Sequence, residues 1–222
     1  MNPTCVLLDL DGTLVASAPG IIASARTALI RVGAVVPDEG VLRTFVGPPM
    51  YQSFREVLGL DEPTARTALE AYRAEYARAG AVNSALFAGI REAIETLDAA
   101  RMPMAVATSK VEDQAVRMIR HHGLGDLITT VCGTSDEAGR TSKRSVIREC
   151  LARLSGSGVD VARPVMVGDR AYDVASAAAE QLPTVYVQWG YGSPTEAAGA
   201  ATSVRSPSEL AALLLASTSA TA

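Results

Sequence analysis

Two aspartates one residue apart, Asp9 and Asp11, stand where the apolar run Cys5-Val6-Leu7-Leu8 meets Gly12. An extended chain alternates sides, so the spacing predicts both carboxylates on one face, two like charges close together. That arrangement is costly unless a cation is bound there. A strand ending in an aspartate-glycine turn explains Asp11 and Gly12 by themselves, so chemistry requires partners from elsewhere in the chain.

Three segments offer such partners. Thr108-Ser109-Lys110 presents hydroxyls and, at a helix start, free amides suited to an anion, although alone it reads as a helix cap. Gly168-Asp169-Arg170-Ala171-Tyr172-Asp173 adds two carboxylates, which an aspartate N-cap would also explain. Lys143 opens an amphipathic segment, where a solvated lysine is the ordinary expectation. Gathered in one crevice, Asp9, Asp11, Asp169 and Asp173 make an oxygen cluster suited to a hard cation such as Mg²⁺. Thr108, Lys143 and the amides after Asp9 then face an anion. A metal site beside an anion site, with a spare carboxylate, matches phosphoryl transfer.

The elements that must position these residues follow from hydrophobic pattern. Residues 5–8 read as a buried strand, and Ile21, Ile22, Ala25, Leu29 and Val32 recur at helical spacing up to Gly33. Short helical pieces continue over 38–80, and no strand is expected between about residues 15 and 86. From Phe87 on, helices over 89–100, 111–122, 143–154 and 173–180 alternate with strands over 104–107, 130–132, 164–167 and 184–187. This alternation predicts an α/β fold with a Rossmann-like parallel sheet, and ligands of such sheets bind at the carboxyl ends of the strands. Ser206-Pro207-Ser208-Glu209 predicts a capped closing helix over 207–216, and the small, polar tail 217–222 is expected to fray. The first strand must pair with strands some ninety residues later, which makes 17–86 an inserted helical lid and 1–16 with 87–222 the core.

Composition excludes several function classes. The 222 residues are 48% hydrophobic, and 20 Lys and Arg nearly balance 24 Asp and Glu for a net charge of −4. Nothing here favours nucleic acid or a membrane surface as partner. With no basic-then-apolar start and no bilayer-length apolar run, a cytoplasmic protein is expected. Cys5, Cys132 and Cys150 are widely spaced in apolar segments, so free buried thiols are expected.

Asp9-Leu10-Asp11-Gly12-Thr13-Leu14, Thr108, Lys143 and Gly168-Asp169 with Asp173 resemble, in this order, the four motifs of the haloacid dehalogenase superfamily, and the match covers nearly the whole chain. The helical insert resembles that family's C1 cap. Phe45-Val46-Gly47-Pro48-Pro49 and Trp189-Gly190-Tyr191-Gly192-Ser193 resemble segments of its phosphoglycolate phosphatase-like and 5′-nucleotidase-like members. The resemblance implies that Asp9 is a nucleophile forming an aspartyl-phosphate and that Asp11 is the general acid and base. It implies Mg²⁺ held by Asp9, the Asp11 carbonyl and Asp169 with help from Asp173. Phosphoryl oxygens would be held by Thr108, Ser109, Lys143 and the amides of Leu10 and Asp11, and Thr13 would buttress the turn and influence Asp11. The sequence departs from the family in lacking glycines over 176–181 and in carrying Ala88 where proline is common.

Other readings are weaker. Gly190-Tyr191-Gly192 starts like a dinucleotide loop, but Thr195 takes the third glycine position and the segment follows the last predicted strand. His121 and His122 sit at a helix C-terminus and assemble no catalytic triad. Tyr72 and Tyr76 fit a helix face better than a base-stacking platform. A dehalogenase would not need Asp11 and the metal carboxylates, and Thr13 resembles the phosphatase form more than the phosphosugar mutase form. Phosphotransfer to protein, as in tyrosine-kinase-like relatives, stays open; an inactive binding module is the non-enzyme alternative, and the filling of every expected catalytic position argues against it. The expected substrate is a small phosphorylated metabolite, phosphoglycolate or a nucleoside 5′-monophosphate, handled by a monomer or homodimer, with Arg43, Gly47, Tyr51 and Gln52 as candidate substrate contacts in the cap.

Overall fold

The computed structural model describes residues 1–80 and 84–216, so the expectation for the tail lies outside the described residues. In chain order the first elements are β1 (Cys5–Leu8), β2 (Val15–Ala16), α1 (Ala18–Arg31), α2 (Glu39–Arg43), α3 (Met50–Gln52), α4 (Glu62–Glu75) and β3 (Ala85–Leu86). They continue with α5 (Ile90–Ala99), β4 (Met104–Val111), α6 (Glu112–His121), β5 (Thr130–Thr134), α7 (Lys143–Gly156), β6 (Pro164–Gly168), α8 (Ala171–Ala178), β7 (Thr184–Val187), β8 (Thr202–Val204) and α9 (Pro207–Leu215).

Every residue of β1 is fully buried, as befits a continuous apolar run at the centre of a parallel sheet. The sheet has the order β5-β4-β1-β6-β7-β8, with all pairings parallel. The chain leaves β1 in both directions across the sheet, and that switch point is where a ligand crevice opens. Alternation sorts the core: Val6 and Leu8 face one apolar layer with Ile94, Leu97 and Leu210, whereas Cys5 and Leu7 face Val146, Ile147 and Cys150 of α7. The three cysteines are free and buried, as expected. Among the described residues no helix is long and apolar enough to cross a membrane.

Between β2 and β3 the chain forms an inserted helical cap. Its helices α1 and α4 pack together, burying Ile21, Ala25 and Leu29 with Ala65, Ala68 and Tyr72. Asp61 caps α4 by accepting from the Thr64 amide at 2.8 Å, an interaction typically worth about 1 kcal/mol.

Three expectations need correction. The span between residues 15 and 86 is not free of strand, because β2 and β3 pair antiparallel where the chain enters and leaves the cap. Two-residue strands are too short to carry a period. The sheet gains a sixth strand, β8, whose three residues include the exposed Ser203 and lack an apolar run. Finally, β4 runs to Val111, so Thr108, Ser109 and Lys110 belong to a strand end rather than a helix start. The β4–β5 register shifts between Ala107 and Val111, an irregularity in the pairing that spans Thr108, Ser109 and Lys110.

Candidate active site

The site is built where β1, β4 and β6 end. Asp9 still donates its amide to the Val167 carbonyl (2.9 Å), so it continues the Cys5 and Leu7 side of the strand, on which α7 packs. Lys143 begins α7 behind the Ser142 N-cap and is 1% exposed, not solvated. Its Nζ bonds Asp9 Oδ1 and lies 2.8 Å from Asp173 Oδ1. The other Asp173 oxygen accepts from the Arg170 amide at 3.1 Å, so this side chain serves both as helix cap and as site carboxylate.

Asp169 is fully buried, and its two oxygens accept from the Tyr191 amide (2.7 Å) and the Thr13 hydroxyl (3.3 Å). Thr13 therefore acts on Asp169 and not on Asp11. Two glycines make room for this carboxylate. A Cβ at Gly12, whose φ is +92°, would lie 2.3 Å from Asp169 Oδ2, and one at Gly190 would lie 2.3 Å from Asp169 Cβ. Trp189 Nε1 donates to the Thr13 carbonyl (3.0 Å), and Tyr191 Oη accepts from the Ala18 amide (3.0 Å), which ties this segment to the turn after β1.

Asp9, Asp169 and Asp173 each bring a carboxylate oxygen within 4.8 Å of the others. Three carboxylates thus share one ammonium. Burial, reinforced by the Asp173 charge, pushes Asp169 up to about 7. Burial also pushes Asp9 well above the usual range against the pull of Lys143, with Asp173 and Asp169 adding to the rise. Burial works against the Lys143 charge too, but Asp173 and Asp9 outweigh it and lift its pKa above the ordinary lysine value. An all-oxygen group with surplus negative charge suits a hard divalent cation.

The Asp11 carboxylate lies outside this group, contrary to the four-carboxylate cluster expected from spacing. The chain turns after Leu10, whose side chain enters the core, and Asp11 Oδ2 pairs with Lys110 Nζ at 2.9 Å. Its Oδ1 is buried with no hydrogen-bond partner among the described residues, as is the Ser109 hydroxyl. Asp11 and Ser109 line a cavity of about 590 Å³ between core and cap, with Gly47, Tyr51 and Gln52 on the cap side. Thr108 is 1% exposed beside them and caps the Lys110 amide at 3.2 Å. Arg43 lies apart from that lining: it is paired with Glu39 at 2.9 Å on the exposed face of α2.

Sequence reasoning missed two contributors. Lys110 was visible beside Thr108 but carried no signal of its contact with Asp11. Tyr76, on a helix face as expected, also bonds Lys110 Nζ through its hydroxyl at 2.9 Å.

The family model for haloacid dehalogenase-like hydrolases matches residues 6–187. The tyrosine-protein kinase PtkA of Mycobacterium tuberculosis is 44% identical over 191 residues, covering 86% of this chain, which itself spans 64% of that kinase. A 5′-nucleotidase of Pseudomonas aeruginosa is 34% identical over 86% of this chain and 85% of its own length. The crystal structure of a predicted phosphatase from Clostridium acetobutylicum superposes with a TM-score of 0.89 at 33% identity, covering 97% of this chain and 100% of that one. The chain belongs to the haloacid dehalogenase-like hydrolases.

Proposed function

We propose that the protein is a Mg²⁺-dependent phosphatase that hydrolyses a small phosphomonoester, of the phosphoglycolate or nucleoside 5′-monophosphate class, through an aspartyl-phosphate on Asp9. The observation that carries this reading is the buried surplus of negative charge of Asp9, Asp169 and Asp173 over Lys143, on the same strand ends as Asp11 and Ser109, which line the cavity and whose Oδ1 and Oγ are buried and unpartnered among the described residues. Mg²⁺ would be held by the carboxylates of Asp9 and Asp169 and the Asp11 carbonyl, with Asp173 in support, and when bound would supply positive charge to the phosphoryl oxygens.

The side chains of this protein account for the remaining steps. An Asp9 oxygen forms a bond to phosphorus as the bond to the leaving oxygen breaks, and Asp11 Oδ1 gives that oxygen a proton. Asp11 then takes a proton from water as the water oxygen bonds phosphorus and the bond to Asp9 breaks, which releases phosphate and restores Asp9. Thr108, Ser109, Lys143 and the amides of Leu10 and Asp11 stabilise the phosphoryl charge. Lys143 already bonds the Asp9 carboxyl, and a bound cation would add to the charge that offsets its burial.

A second reading is favoured by the 44% identity to a tyrosine-protein kinase: the same Asp9 chemistry with a protein hydroxyl in place of water as acceptor. Phosphate release from a panel of phosphomonoesters, with Mg²⁺ or EDTA and with Asp9→Asn as control, separates the two. Metal-dependent release lost in Asp9→Asn is the expected result. No release by folded wild type, together with transfer of a phosphoryl group to added protein substrate, would replace hydrolysis with phosphotransfer.

A further inference from the structure

We infer that Lys110 is a positioning residue for the Asp11 carboxylate and that Tyr76 of the cap holds it in place, so that the cap must be seated for proton transfer to the leaving group. The inference rests on the phosphatase reading of Asp9 and Asp11. Lys110 lies within the β4–β5 register shift and is 9% exposed. Its ammonium has two partners pointing in different directions, Asp11 Oδ2 at 2.9 Å in the core and Tyr76 Oη at 2.9 Å from the cap. The same nitrogen lies 4.1 Å from the centre of the Tyr76 ring, and Tyr72 stacks on that ring at 5.6 Å. Tyr76 itself is 2% exposed and begins a π-helical turn, Tyr76–Gly80, a rare form found mostly at functional sites.

A carboxylate with two equivalent oxygens can rotate between them. At Asp11, a residue that lines the cavity, Lys110 takes Oδ2, and Oδ1 is buried with no partner among the described residues. Lys110 thereby fixes which oxygen meets the leaving group. A buried ammonium with only one partner would be poorly held, and the second partner comes from a cap residue 34 positions away in sequence. Removing the cap contact frees the ammonium and with it the Asp11 carboxylate. Substrate exit and entry through a displaced cap would therefore coincide with a disordered acid, and cap seating with an ordered one.

The test compares kcat/KM for an alkyl ester, glycerol 2-phosphate, with that for p-nitrophenyl phosphate, whose leaving group departs as a stable phenolate without a proton. This ratio reports through the first irreversible step and excludes release of phosphate from Asp9. Lys110→Met should lower the value for glycerol 2-phosphate on the order of 100-fold and that for p-nitrophenyl phosphate no more than about threefold. Lys110→Arg should restore part of the alkyl activity. Tyr76→Phe keeps the ring and removes the hydroxyl, and should lower kcat for the alkyl ester roughly 3- to 10-fold, the effect of one hydrogen bond. Thermal unfolding of each variant accompanies the assay to exclude loss of fold. Equal losses on both esters, or none on either, would overturn the role of Lys110, and an unchanged Tyr76→Phe would overturn its link to the cap. Wild type that hydrolyses neither ester would overturn the phosphatase reading and this inference with it.

Discussion

The helix α7 carries two charged clusters of opposite character. At its start, Lys143 is, among the described residues, the one cation bonded to Asp9 and Asp173, with Asp169 completing a group of three buried carboxylates. Further along, Arg153 and Glu149 join Arg140 and Glu112 in a network of two cations and two anions. There Arg140 meets Glu112 at 2.6 Å, Arg153 meets Glu112 at 3.0 Å and Arg153 meets Glu149 at 2.8 Å. Burial raises the Glu112 pKa, but the Gly133 amide and the Arg153 and Arg140 charges outweigh it and hold the carboxyl below the usual range. The balanced network knits α6, β5 and α7 together and asks for nothing more. The unbalanced one leaves Asp9 and Asp169 raised, a deficit that a bound cation can relieve. Charge balance, rather than charge density, separates the structural cluster from the candidate site.

Removing one cation from each cluster should show the largest contrast. Lys143→Met strands three buried carboxylates and is expected to cost about 3–5 kcal/mol in urea unfolding of the metal-free protein, besides abolishing phosphate release. Arg140→Met leaves Glu112 still paired with Arg153 in a partly exposed setting and should cost no more than about 1 kcal/mol. Equal costs would break the comparison.

The two clusters should also respond to pH with opposite signs. Asp169 is raised from 3.8 to about 7, so the folded state binds more protons than the unfolded one across that window. Its contribution to stability is present below the unfolded value and is lost as pH rises through about 7. Glu112 is lowered from 4.5, so its contribution is present above that value and is lost as pH falls through the folded pKa. Urea unfolding in EDTA across this range should show Asp169→Asn flattening the loss at high pH and Glu112→Gln flattening the loss at low pH. Matching slopes in the two variants would contradict the assignment.

Much of this was legible in the chain because buried strands are apolar and their ends carry the polar residues. The strand over Thr184–Val187 and the helix beginning at Lys143 follow directly from pattern. What pattern could not supply was tertiary. The burial of Lys143, against the ordinary expectation for a lysine, depends on the N-terminus of α7 meeting the rim of the sheet. The separation of Asp11 from Asp9 depends on the turn after Leu10 and on Lys110, whose partner Tyr76 lies in the inserted cap. Arg43 misled because an i,i+4 partner, Glu39, sits beside it on the same helix face. The lack of glycine over 176–181 has a local consequence: Gln181 adopts a φ of 62° in the left-handed region, where glycine fits more easily.

The central claim is that the carboxylate group at Asp9 is a cation site and the Glu112 network is not. Thermal unfolding with Mg²⁺ or EDTA tests it without reliance on activity. Mg²⁺ at about 100 times its Kd should stabilise wild type and Glu112→Gln alike by ~2.7 kcal/mol, or about 5–10 °C for a domain of this size, and should leave Asp169→Asn unmoved. A shift that persists in Asp169→Asn, or no shift in wild type, would contradict the claim.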